Sequence, residues 1–179
     1  MRLFALNPSC VLGWMATFGV LCSMVGCSKA QEALSEQERA HAVRNAVNEY
    51  ANAVSSTMPE QKTWTDSYKE STERKDFAGL RETLLDAVLP ALNQTIQSLE
   101  SVPTETDSLR GIHGSLVAAY RRLAQDLNAF ATGLNAENYN EHRKSLASRL
   151  THFHHDQRVY REQIQAYYES VGVTLIAPP

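Results

Sequence analysis

His152, His154, His155 and Asp156 form the densest group of metal-ligand side chains in the sequence. Neutral imidazole nitrogens bind zinc, copper or nickel, and a carboxylate oxygen can complete such a set. Spacing limits what one helix can do with them. At roughly 100° per residue, a helix through these positions centres its apolar face near Leu146, Phe153 and Ile164. His155 then points nearly opposite, toward solvent. His152 and Asp156 share one flank at i and i+4, and His154 lies on the other. The three histidines cannot meet at one ion, so His152 with Asp156 is half a site. A second helix can supply the rest. Folding the preceding helix back about residue 136 sets His113 roughly level with residue 159, within about a turn of His155 and Asp156. The candidate metal set is therefore His113, His152, His155 and Asp156. The competing reading, solvated surface residues, agrees better with the angular positions. His142 falls near the apolar face and reads as a hydrogen-bonded residue at the core edge.

Other chemistry is thinly represented. Tyr120, Tyr139, Tyr160, Tyr167 and Tyr168 recur at helical spacing, which points to core packing ahead of a pocket lining. The Glu-x-x-His repeat of di-iron helical proteins is missing, and Glu141-His142 is adjacent instead. No GxGxxG, GxxxxGK[ST], CxxC or GxSxG stretch occurs. These readings predict no catalytic residue, no enzyme activity and no cofactor.

The first 28 residues carry a different chemistry. Arg2 is a minimal positive start, and Cys10 to Gly26 contains no charge. Val11, Leu12, Trp14, Met15, Ala16, Phe18, Val20 and Leu21 make a short apolar core, followed by small residues. That order is the signature of a secretory signal peptide. The core is short for a membrane span, which takes about 20 residues. Met24-Val25-Gly26-Cys27 resembles the lipobox of bacterial prolipoproteins, with Met24 where leucine is usual. The resemblance covers only the leader. It implies cleavage before Cys27 and a lipid on its sulfur. Ser28, standing where an aspartate would imply inner-membrane retention, implies the outer membrane, with the protein facing the periplasm. An uncleaved anchor and a plain signal cut elsewhere are the competing readings.

Cysteine usage agrees with the lipoprotein reading. All three cysteines, Cys10, Cys22 and Cys27, lie in the leader or at its end. Cleavage leaves Cys27 alone, so the mature chain forms no internal disulfide and packing must stabilise it. Cleavage also removes Arg2 alone among charged residues, taking the formal charge from −3 to −4 over the remaining 153 of 179 residues. A mildly acidic chain with no basic block is a poor nucleic-acid ligand. Membrane attachment would rest on acyl chains.

Apolar periodicity supplies the architecture. Val43, Val47, Tyr50 and Val54 mark a first helix over 34–57, with the weakest stripe. Residues 56–75 are polar apart from Trp64 and Tyr68. They read as a connector with a short helix starting at Pro59 and the two rings capping one end of the core. Phe77, Leu80, Leu84, Val88, Leu92, Ile96 and Leu99 mark a second helix over 74–101, kinked at Pro90. Leu109, Ile112, Leu116, Tyr120, Leu123, Leu127, Phe130 and Leu134 mark a third, capped by Thr106 or Asp107. A fourth runs over 136–170 with Gly172 as its C-cap.

The expected class is all-α, an antiparallel four-helix bundle behind a cleaved signal peptide. The expected boundaries are a leader at 1–26, a lipidated tether at 27–33, the helical domain at 34–172 and a tail at 173–179. The expected function is a lipid-anchored cell-envelope protein serving as a non-enzymatic interaction or assembly module, with another envelope protein as partner and no nucleic acid. The alternative is a periplasmic lipoprotein that binds a small ligand or transition metal through the histidine segment.

Overall fold

A computed structural model describes residues 35–173. The expected signal peptide, the expected lipidated tether at Cys27 and the expected tail beyond Val173 lie outside the described residues. The chain divides into two compact units, Met1–Ala42 and Val43–Pro179. Residues 35–42 of the first unit are helical. The second unit opens on helix α1, 43–56, and continues through α2 (Met58–Glu73), α3 (Phe77–Thr83), α4 (Leu89–Glu100), α5 (Asp107–Gly133), α6 (Tyr139–Leu146) and α7 (Leu150–Ser170). The class is all-α: the described residues contain no strand.

The expected connector is a full helix, α2, and this corrects the sequence reading. Pro59 lies in its first turn, where a missing N–H costs nothing. Its inward face is Thr57, Gln61, Trp64, Tyr68 and Ser71, a three-four spacing in which most positions are polar. Four of these five are buried; Gln61 is half-buried. Gln61 Nε2 donates to Thr57 Oγ1 at 2.9 Å, and Ser71 Oγ donates to the Tyr68 carbonyl at 2.6 Å. Satisfying these groups locally removes the penalty of burying them. Trp64 and Tyr68 belong to the main apolar cluster instead of closing one end of it. Trp64 meets Tyr120, at the middle of α5, and Phe153, in the first turn of α7, edge-on at 6.3 and 5.7 Å between ring centroids.

The expected second helix starts at Phe77 behind Asp76, whose carboxylate accepts from the Gly79 N–H at 2.7 Å. It is irregular one turn before Pro90. Proline there has no N–H for the Asp86 carbonyl, and its ring would crowd that carbonyl. Residues Leu84–Val88 widen into a π turn, with the Leu89 N–H reaching back to the Leu84 carbonyl. Leu80, Leu84, Val88, Leu92, Ile96 and Leu99 still face inward.

Helix α5 is the central element, packed against both α4 and α7. Thr106 caps it, accepting from the Leu109 N–H at 3.2 Å. The expected fourth helix is two helices joined by a 3-10 turn at Ala147–Arg149. The Tyr68 hydroxyl donates to the Leu146 carbonyl at 2.6 Å, across 78 residues. The Leu150 N–H bonds Ser148 instead of continuing the α pattern. At the far end Gly172 adopts φ +71°, a left-handed turn that favours glycine. Its N–H bonds the Glu169 carbonyl at 3.1 Å, and the Val173 N–H bonds Tyr168 at 2.9 Å.

Candidate functional site

The four residues of the candidate metal set do not come together. His113 points into the core, 6 % exposed, not toward α7's histidines. Its Nε2 lies 2.8 Å from the Leu99 carbonyl, and its Nδ1 lies 3.0 Å from the Tyr50 hydroxyl. His155 is exposed and its Nδ1 lies 3.0 Å from an Arg158 nitrogen. Asp156 is held by Arg122 at 2.7 Å. Among the described residues no group of three His, Cys, Asp or Glu side chains has the geometry to hold a metal ion. The physical reason is register and rotation. Arg122 faces Asp156 and Asp126 faces Arg149, so the two helices are slipped by roughly one turn from the expected alignment. His113 also sits on the inward side of α5.

What α7 does build is a cleft against α5. His152 and Asp156 line it together, as their i, i+4 spacing predicts. Ala119, Leu123 and Phe153 form an apolar floor, and the volume is about 400 Å³. Two crossing ion pairs wall it, Arg122–Asp156 at 2.7 Å and Arg149–Asp126 at 2.6 Å. The Arg149 guanidinium carbon also lies 4.6 Å over the Phe130 ring. Ion pairs this exposed contribute about 0–1 kcal/mol each, so they hold the arginines in place more than they stabilise the fold. His142 lies outside the cleft, half-buried, its ring 5.8 Å from Phe130. It occupies the expected core edge, but its Nδ1 is buried without a hydrogen-bond partner among the described residues.

The second constellation centres on buried Tyr50 and His113, with Tyr160 half-buried beside them, and was invisible as a motif. Tyr50 on α1 places its hydroxyl 2.9 Å from the Tyr160 hydroxyl on α7 and 3.0 Å from His113 on α5. The Leu99 carbonyl can only accept, so the His113 Nε2 carries a hydrogen. In neutral imidazole Nδ1 then accepts from the Tyr50 O–H, and the Tyr50 oxygen accepts from Tyr160. One donor direction runs through all three side chains. Burial lowers the His113 pKa below the ordinary histidine value, against the Leu99 carbonyl, which favours the charged ring. Burial raises the Tyr50 and Tyr160 phenols. His113 stood out in the sequence only as a ligand type. Its place beside Ile112 and Leu116 on the α5 stripe was the available sign of burial.

Three of the remaining tyrosines tie helices together through their hydroxyls. Tyr139 donates to the Arg74 carbonyl at 2.9 Å, and Tyr120 to Gln61 at 3.2 Å. Tyr167 meets Thr106 at 3.0 Å. Tyr168, not Tyr167, is the deeply buried member of that pair. Burial pushes the Tyr68 and Tyr120 phenols up to about 12.

No protein-family model, curated protein or solved structure matches this chain. Among the described residues no helix is long and apolar enough to cross a membrane.

Proposed function

We propose that this chain is a lipid-anchored envelope protein whose helical domain, an antiparallel four-helix bundle, works as a non-enzymatic interaction or assembly module for another envelope protein. One observation carries the anchor: Met24-Val25-Gly26-Cys27 directly follows an uncharged apolar run. Delivery to the outer membrane follows from Ser28 on the same pattern. The bundle is supported by the order of the ion pairs. Arg122 and Asp126 rise along α5 while their partners fall, from Asp156 on α7 to Arg149 in the 3-10 turn before it. The interaction role rests on the solvent-facing sides of α2 and α7, which are rich in Glu, Gln, Lys and Arg.

The test compares wild-type protein with Cys27→Ala by intact mass and fractionation. The expected wild type gains a lipid-sized mass and sediments with membranes, and the variant loses both. Crosslinking in the envelope then captures a protein partner of the wild type. A cleaved, unmodified, soluble wild-type product would overturn the anchor.

The α5–α7 cleft favours a second reading, a small-ligand site. A flat apolar floor between two guanidinium groups suits a ring bearing a carboxylate, since Arg pairs with carboxylates bidentately. Titration with benzoate or phenylacetate is expected to shift amide and side-chain resonances of Arg122, Arg149 and His152 alone. Arg149→Gln should weaken that response about tenfold. Shifts scattered over the surface, or none, would remove this reading.

A further inference from the structure

Three helices meet at one imidazole, and the way they meet has a consequence for α1. Among the residues of α1, only Ala46, Val47 and Tyr50 are buried, with Thr57 just past its end. Tyr50 is the one large side chain among them and is 1 % exposed. Its ring stands edge-on to His113, centroids 5.5 Å apart. Its hydroxyl is the middle of the chain from Tyr160 to His113. The docking of α1 therefore depends on one aromatic side chain whose polar end must be satisfied inside the core.

The satisfied arrangement exists for one protonation state. With neutral His113, Tyr160 donates to Tyr50, Tyr50 donates to Nδ1, and Nε2–H donates to the Leu99 carbonyl. A proton added at Nδ1 turns that atom into a donor. The Tyr50 oxygen must then accept from it, Tyr50 must donate to Tyr160, and the Tyr160 hydrogen loses its acceptor. The cation also stands among groups that do not neutralise it. From α1 it faces the Tyr50 phenol; from α4, the Leu99 carbonyl; from α7, the Tyr160 phenol through Tyr50, with Tyr168 beyond. Around them pack Val47, Val102, Leu109 and Ile164. A buried cation without a carboxylate is costly, and opening the site to water relieves it.

We propose that the Tyr160–Tyr50–His113 chain is an acid-sensitive latch: proton uptake at His113 releases α1 from the helical core while α2, α4 and α5 stay packed. The device needs no lipid at Cys27 and stands apart from the proposed anchor. Its asymmetry comes from core distribution. Trp64, Leu84, Leu92, Leu116, Tyr120 and Leu127 belong to a separate apolar cluster that holds the other helices.

Hydrogen exchange on the full chain lacking its leader tests this, with protection factors corrected for intrinsic rates. Between about pH 7.5 and about pH 5, either side of the ordinary histidine value, protection over 43–56 is expected to fall at least about tenfold. Protection in α4 and α5 is expected to hold. His113→Gln keeps an amide donor and acceptor but no titration, and should flatten the response of α1. Histidine-labelled wild type provides a reading that does not depend on the variant folding: the His113 resonance should titrate with the same midpoint as the loss of α1 protection. An α1 protection independent of pH, an equal loss in every helix, or a response kept in His113→Gln would each overturn the latch.

Discussion

Trp64→Ala is expected to lower the unfolding free energy by about 3–5 kcal/mol. Trp64 is 4 % exposed and contacts Tyr68, Tyr120 and Phe153, with the ring centroids 5.7 to 6.5 Å away. Tyr120 and Phe153 in turn meet at 4.8 Å. Truncation leaves a cavity at the contact of α2, α5 and α7, and three rings lose an edge-to-face partner worth about 0.5–1.5 kcal/mol each. A domain of this size is stable by about 5–15 kcal/mol in total, so about a fifth or more is lost. Urea unfolding followed by circular dichroism measures it. Trp64→Phe, which keeps a ring, should lose less than half as much. The chain has two tryptophans, Trp14 and Trp64. Without the leader Trp64 is the single tryptophan, and its emission under selective excitation should be that of a dry indole, shifting red on unfolding. A loss below about 1 kcal/mol, or wet-indole emission from the folded protein, would show that α2 does not carry the core.

Cooperative unfolding in alkali is the second large effect, expected between about pH 10.5 and about pH 12. Five phenols have raised pKa values in the fold: Tyr50, Tyr68, Tyr120, Tyr160 and Tyr168. Burial is the leading cause for each. In the unfolded chain they ionise near about 10. Below that value both states keep the protons and the full stability is present. Above it the unfolded state releases protons that the folded state retains, so stability falls as pH rises through the folded values. Each phenol removes at most about 1.36 kcal/mol per pH unit, so five remove up to about 7 kcal/mol per unit. That slope exhausts the domain's stability within one to two units. Tyrosinate absorbance and helical circular dichroism should change together in one sharp step. Gradual tyrosine ionisation near the ordinary phenol value with the helix signal intact would contradict the burial assigned to these rings.

The acid side has the opposite sign. His113 is lowered by burial, so the unfolded state binds a proton first as pH drops. Stability is complete above about 6.5 and declines from there toward the folded value. This is the global counterpart of the local opening proposed for α1.

Much of the helix layout was legible because apolar spacing is a local property. The α5 stripe from Leu109 to Leu134 needs no knowledge of its neighbours, and the structure buries it nearly as spaced. Gly172 was likewise readable, since few residues other than glycine accept its left-handed backbone. Helix α2 was misread because its inward face is Thr57, Gln61, Trp64, Tyr68 and Ser71. The three-four period was there, but it was written in polar residues that a hydrophobicity count passes over. Their burial is allowed only by hydrogen bonds such as Gln61 to Thr57, and by Tyr120 meeting Gln61.

The candidate site was legible by half. His152 and Asp156 were placed on one flank by helical geometry, and the structure sets both in the α5–α7 cleft. The arginines that wall it come from the choice of register between two helices, which depends on how Tyr120, Trp64 and Phe153 interlock. His113 was assigned to the wrong neighbours for the same reason.

Local rules, then, determined the all-α class, the caps at Thr106 and Gly172, and the disturbance at Pro90, because each is settled within one or two turns of chain. Tertiary structure decided what depends on distant partners. The Tyr68 hydroxyl takes the Leu146 carbonyl and divides one expected helix into α6 and α7. Tyr50 reaches His113 across 63 residues, and Tyr160 reaches Tyr50 across 110. No periodicity in the chain encodes those meetings; they follow from rings of matching shape packing first and their hydroxyls finding acceptors where the packing leaves them.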